Sequence, residues 1–187
     1  MKKQNSLSYL IFMMVFAIAA CNPSKEKAQG VSNTTEAPSV DIHTAVISGN
    51  TEAVKQHIKA GTDLNQAEPM GGSSPLISAA VFNKPEIFKL LLDAGVDIDF
   101  QNNDGSTALH SAAYFCHPEL VKMLLDKGAD KTIRNKYGVT AYETVAGPYS
   151  EAEQGYKMMA DMLAPVGLKL DFERIEKTRP QVAKMLI

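Results

Sequence analysis

The chain has 187 residues, 45% of them hydrophobic and 21% charged, which is the size and composition of one domain or one stack of repeats. Its formal net charge is −2, falling to about −4 once a leader carrying Lys2 and Lys3 is removed, so it offers no electrostatic footprint for nucleic acid. Beyond a cysteine at the end of that leader only Cys116 remains, which excludes a disulfide framework.

The first element in chain order is a leader. Lys2 and Lys3 precede an apolar run from Leu7 to Ala20, broken only by Ser8 and followed at once by Cys21. A charged start, a short apolar run and small residues before a cleavage point make a secretory signal peptide, and the run is too short for a comfortable membrane span. Ile18-Ala19-Ala20-Cys21 resembles the lipobox of bacterial lipoproteins. The resemblance implies cleavage before Cys21 and acylation of that cysteine, which would hold the chain on a lipid bilayer. Two or more acyl chains suit stable anchoring, because one alone binds only marginally.

From Asn22 to Ser39 the residues are mostly Asn, Pro, Ser, Lys, Glu, Gln, Gly and Thr, with almost nothing to bury. Such a segment is a flexible tether, with a root-mean-square span of roughly 24 Å by square-root scaling. The organisation expected is therefore a signal peptide over 1–20, a lipidated tether over 21–39 and a folded part from residue 40 onward.

The folded part repeats itself. Gly61, Gly95 and Gly128 lie at steps of 34 and 33 residues. Ser74-Pro75-Leu76, Thr107-Ala108-Leu109 and Thr140-Ala141-Tyr142 lie at steps of 33. Ile42-His43-Thr44-Ala45, Leu76-Ile77-Ser78-Ala79 and Leu109-His110-Ser111-Ala112 share the same period. Three marks with one period predict stacked units. In each unit Ser74, Thr107 or Thr140 can cap a short helix, and the pairs Ala79-Ala80 and Ala112-Ala113 let that helix approach its neighbours. A second helix opens at Pro85 or Pro118, carries Glu86 or Glu119 in its first turn, and runs through Ile87, Leu90 and Leu91, or Leu120, Leu124 and Leu125. Gly95 and Gly128 stand where a left-handed residue ends it.

This unit resembles the ankyrin repeat, most closely in Thr107-Ala108-Leu109-His110-Ser111-Ala112-Ala113 and Gly128-Ala129-Asp130. The resemblance implies an all-α solenoid of helix-turn-helix-loop units, here over 40–171, without catalysis or cofactor, that binds another protein through its concave side. Two departures stand out. The first unit lacks the hydroxyl-Pro start, and Cys116 occupies a turn position usually held by Gly, where a left-handed backbone strains a side chain. Asn83, one unit earlier, tolerates that conformation better.

Past Tyr142 the register stretches. Ser150 and Glu153 are placed to form a capping box ahead of Tyr156, Met159, Met162 and Leu163 at helical spacing. With Gly167 lying 39 residues after Gly128, the sequence predicts a fourth repeat with about six residues inserted between its helices. Residues 172–187, with Pro180 starting another short helix, are expected to cap the stack.

Reactive constellations are missing. His110 matches the signature histidine of the repeat, which implies a structural hydrogen bond between loops. His43, His57 and His117 form no helical metal pair, so no metal site is expected. Cys116 beside His117 could be read as a nucleophile, but adjacent residues rarely face each other, so no catalytic residue is assigned. Carried onto this chain, the variable positions of the repeat select Ile47, Met70, Val81, Phe82, Asn103, Asp104, Tyr114, Phe115, Lys136 and Tyr137 as protein-binding residues. Val81 with Tyr114, and Phe82 with Phe115, stand one period apart and suggest an apolar ladder. Tyr114 and Tyr137 are expected at the surface, where their hydroxyls meet water or a partner.

The function expected from all this is a monomeric, membrane-anchored lipoprotein of the bacterial cell envelope, facing the periplasm and binding a protein partner. A competing class is a small-molecule binder or enzyme with a pocket around Ala146 to Gln154, and a third is a structural envelope protein without a dedicated partner.

Overall fold

The computed structural model of the chain describes residues 37–187. The expected signal peptide, the lipidation site Cys21 and the tether up to residue 36 lie outside the described residues.

The described residues form helices and no strands, in an all-α solenoid. Inner helices α1 (Ile42–Ser48), α3 (Pro75–Val81), α5 (Ala108–Tyr114) and α7 (Glu143–Ala146) stack on one another. Outer helices α2 (Thr51–Ala60), α4 (Pro85–Asp93) and α6 (Pro118–Asp126) stack in a second layer, each beside its own inner helix. After α7 come α8 (Tyr149–Leu163), a 3-10 turn at Ala164–Val166, and α9 (Phe172–Leu186).

Local chemistry starts each inner helix. Ser74 Oγ accepts from the amide of Ile77 at 3.3 Å and Thr107 Oγ1 from that of His110 at 3.4 Å. In the turn leading into α7, Thr140 Oγ1 accepts from the amide of Glu143 at 3.3 Å while the Glu143 carboxylate accepts from the amide of Thr140 at 2.6 Å, although Tyr142, at the cap position itself, makes no side-chain cap bond. In the first unit, where no hydroxyl stands, Asp41 performs the task, accepting from the amide of Thr44 at 3.0 Å.

Packing follows from side-chain size. Ala45, Ala79, Ala80, Ala112 and Ala113 are fully buried between the layers, so inner helices can lie close to their partners. Ile87, Phe88 and Leu91 in α4, and Leu120, Val121 and Leu124 in α6, fill the space behind them. A Leu→Ala change at such a site typically costs 2–5 kcal/mol, so the core is held by these rows. The inner-to-outer turns require a left-handed residue, supplied by Gly49 at φ 77°, Asn83 at φ 48° and Cys116 at φ 54°. The last two carry side chains in a region that disfavours them.

The fourth unit differs from the expectation. Its inner helix α7 pairs with α9, and α9 also stacks on α6, so residues 172–186 supply the outer helix of the fourth unit. Tyr149–Leu163 is therefore an inserted helix lying between the two halves of that unit. No capping box forms at Ser150 and Glu153, because α8 starts at Tyr149, with Pro148 at its cap position and no side-chain cap bond. Nor does Pro180 begin a helix: it lies inside α9. The missing Pro180 amide leaves the rest of α9 to be held by burial of Ile175, Val182 and Leu186.

Candidate interaction surface

Three loop tips between units form one continuous edge. The Asn102 carboxamide oxygen accepts from the amides of Asp104 and Ser106, at 3.0 and 2.9 Å, and Asn135 does the same for Tyr137 and Val139, at 3.0 and 3.3 Å. In the first tip Glu68 takes that role, accepting from the amides of Met70, Gly71 and Ser73. Burial opposes the charged form of Glu68, but the bonds from Met70, Ser73 and Gly71 outweigh it and hold the carboxyl below its ordinary value. Each tip is thus fixed by its own side chain before anything else touches it.

Successive tips are then bonded to each other. The amide of Asn103 donates to Gly71 O at 3.0 Å, and the amide of Lys136 donates to Asp104 O at 2.8 Å. Asn135 Nδ2 adds a bond to Ser106 Oγ at 3.2 Å. This close approach explains Gly72 and Gly105, which have φ near 70°: a Cβ on Gly72 would collide with the Asn103 side chain, and one on Gly105 would sit 3.2 Å from the amide of Lys136. Gly72, Gly105 and Gly138 recur at steps of 33, a fourth mark of the period that the sequence carries and that reading by helices alone passes over.

Histidines rivet this edge to the helices. His110 Nδ1 accepts from the amide of Thr107 at 3.2 Å, which leaves Nε2 protonated to donate to Val139 O at 3.1 Å. Burial, only partly offset by that carbonyl, keeps the ring below its usual pKa and neutral. His57 makes the analogous bond from Nε2 to Val40 O at 2.8 Å. Among the described residues no group of three or more His, Cys, Asp or Glu side chains is placed to hold a metal ion.

The structure divides the predicted binding residues into two sets. Met70, Asn103, Asp104, Lys136 and Tyr137 project from the tips into solvent, Met70 being 92% exposed and Tyr137 74%. Ile47, Val81 and Phe82 lie half-buried at the far ends of the first two inner helices. The second rung of the expected ladder, Tyr114 with Phe115, is not presented at the surface. Phe115 is only 2% exposed, packed edge-on to Tyr114 with centroids 5.1 Å apart and stacked on His117, so it belongs to the interior. Tyr114 is half-buried rather than exposed, because the inserted α8 lays Tyr156 on its ring with centroids 4.6 Å apart.

That contact has a polar core. Tyr156 is fully buried; its hydroxyl donates to Tyr114 O at 2.6 Å and accepts from Arg179 of α9 at 2.7 Å. Arg179, 4% exposed, also donates to Gly147 O at 3.1 Å and Thr144 O at 3.4 Å, and its guanidinium lies 5.8 Å from the centroid of the Tyr156 ring. Arg174 donates to the carbonyls of Cys116 and Phe115, at 2.6 and 3.2 Å. These groups stitch α8 and α9 to the turn after α5. Cys116 is buried beneath them, and burial pushes its thiol pKa up, against the activation a nucleophile needs.

A shallow groove of about 600 Å³ lies at the outer edge of the fourth unit, lined by Lys131, Thr132, Arg134, Thr140, Tyr142, Leu186 and Ile187. Arg134 there is tied to Glu143 at 2.7 Å, and the groove gathers no reactive pair.

Comparison with known proteins agrees with this architecture. A family model for ankyrin repeats, in three copies, matches residues 42–135. Protein phosphatase 1 regulatory subunit 27 of Mus musculus is 40% identical over 81 residues, covering 42% of this chain and 52% of the relative. The Homo sapiens counterpart is 41% identical over 64 residues, covering 34% and 41%. The chain thus spans about half the length of these curated relatives or less. Among solved structures, the ankyrin repeat domain of Bcl-3, a member of the IkappaB protein family, superposes with a TM-score of 0.54 at 33% identity, covering 55% of this chain and 45% of that one.

Proposed function

Because the chain belongs to the ankyrin-repeat family, whose repeats imply protein–protein interaction, we propose that it is a non-catalytic, monomeric lipoprotein that binds a partner protein. Its interaction surface is the row of loop tips presenting Met70, Asn103, Asp104, Lys136 and Tyr137, flanked by Ile47, Val81 and Phe82. One observation carries this reading: backbone bonds between successive tips hold the row in register, so its exposed apolar side chains are presented on a rigid support. A preorganised surface loses little entropy on binding, and exposed Tyr and Met side chains are typical anchors. The regulatory-subunit relatives support a role in controlling another protein rather than in catalysis.

The lipobox-like Ile18-Ala19-Ala20-Cys21 and the polar segment after it support anchoring through acylated Cys21 to a bacterial envelope membrane, with the repeats facing the periplasm. Substituting both Met70 and Tyr137 by Ala removes the two most exposed apolar tips. Recovery of the partner in pull-downs should then fall by about tenfold or more, with helical content unchanged. Undiminished recovery would refute the assigned surface.

A further inference from the structure

In the first three units two or three residues join the inner helix to the outer one; in the fourth, 25 residues separate α7 from α9. The α7–α9 pair completes the stack without α8, which has a single fully buried side chain, Tyr156. Among the described residues nothing covers the opposite side of α8. Met158 and Met162 are 61% and 58% exposed, and Val166 follows at 49%. At 100° per residue, Glu151, Met158 and Met162 fall on one line along the helix, with Asp161 beside them. Glu151 and Asp161 make no ion pair among the described residues. The neighbouring cation Lys157 is neutralised by Glu153 at 2.8 Å.

The exposed face of α8 is therefore a methionine row bordered by free carboxylates. We infer that α8 is a second docking element, and that its occupant is a basic, apolar-faced helical segment of the partner protein. Methionines mould to varied apolar surfaces, and helix-on-helix recognition needs only a few such anchors at helical spacing. The border charge selects the occupant. A second copy in a two-fold contact would set carboxylates against carboxylates, and an anionic lipid surface would be repelled. This inference rests on the reading of the chain as a protein-binding module but uses a surface separate from the loop tips.

A labelled synthetic amphipathic Leu/Lys peptide, titrated into the full chain and followed by fluorescence anisotropy, tests it. Saturable binding is expected, with about tenfold weakening or more in Met158→Ser/Met162→Ser and in Glu151→Lys/Asp161→Lys. These positions are exposed, so circular dichroism should report unchanged folding. Tyr137→Ala should leave peptide binding intact, so failure of the loop-tip reading and failure of this one are separable. Equal binding of a Leu/Glu peptide, no saturable binding, self-association abolished by the methionine substitutions, or capture of the Cys21→Ala chain by phosphatidylcholine vesicles would each overturn it.

Discussion

At the scale of single residues, Tyr156 and Arg179 are the joint that holds the inserted helix. Tyr156→Phe removes the donor to Tyr114 O and one acceptor for a buried guanidinium, so it should cost about 1–3 kcal/mol in urea unfolding. Replacing both Tyr156 by Phe and Arg179 by Met removes the partner and the charge together, and the double change should cost less than the sum of the single ones. Strict additivity would show that the two side chains act independently. His117 makes a second residue-scale prediction. It is 7% exposed, and burial, then the Arg174 guanidinium, brings its pKa down to about 4. A base whose folded pKa lies below its unfolded value of about 6.5 stabilises fully above 6.5, and that contribution is lost as pH falls toward 4. Between pH 7 and pH 5 this one group should cost about 2 kcal/mol, and His117→Gln should flatten that part of the profile. An identical slope in wild type and variant would contradict the assignment.

At the scale of elements, α9 closes the stack by serving as its last outer helix. Truncation after Leu170 would uncover the faces of α6 and α7 that it packs on, and should lower the thermal midpoint and expose apolar surface to a hydrophobic dye. An unchanged midpoint would mean that α9 is an ornament. The three regular units were legible in the sequence because every decision in them is local: a hydroxyl cap, paired alanines, a proline at the first helical turn and a terminal glycine. The fourth is not legible for the complementary reason. Tyr156, Met159, Met162 and Leu163 have the spacing of an outer helix, and nothing local tells an inserted helix from a stacked one. Only the contact of Ile175 and Val182 with distant helices decides it. Asp41 stands outside the hydroxyl pattern of the other units, yet an Asp carboxylate caps as well as a Ser hydroxyl. In the interaction surface, the exposed tips followed from the repeat register. The burial of Phe115 did not, since it comes from packing against Tyr114 and His117 at the turn after α5, which the repeat register does not specify.

At the scale of the whole molecule, the proposed account joins a lipid anchor, a tether and a rigid stack. Labelled fatty acid should be incorporated in wild type and lost in Cys21→Ala, with persistent labelling refuting the anchor. The central claim is that the loop-tip edge contacts a protein. A photo-cross-linking residue placed at Tyr137 tests it most directly, with a second chain carrying the same group at Lys55 on the outer layer. One discrete protein adduct is expected from position 137 and none from position 55. No adduct at 137, or the same adduct from both positions, would contradict it.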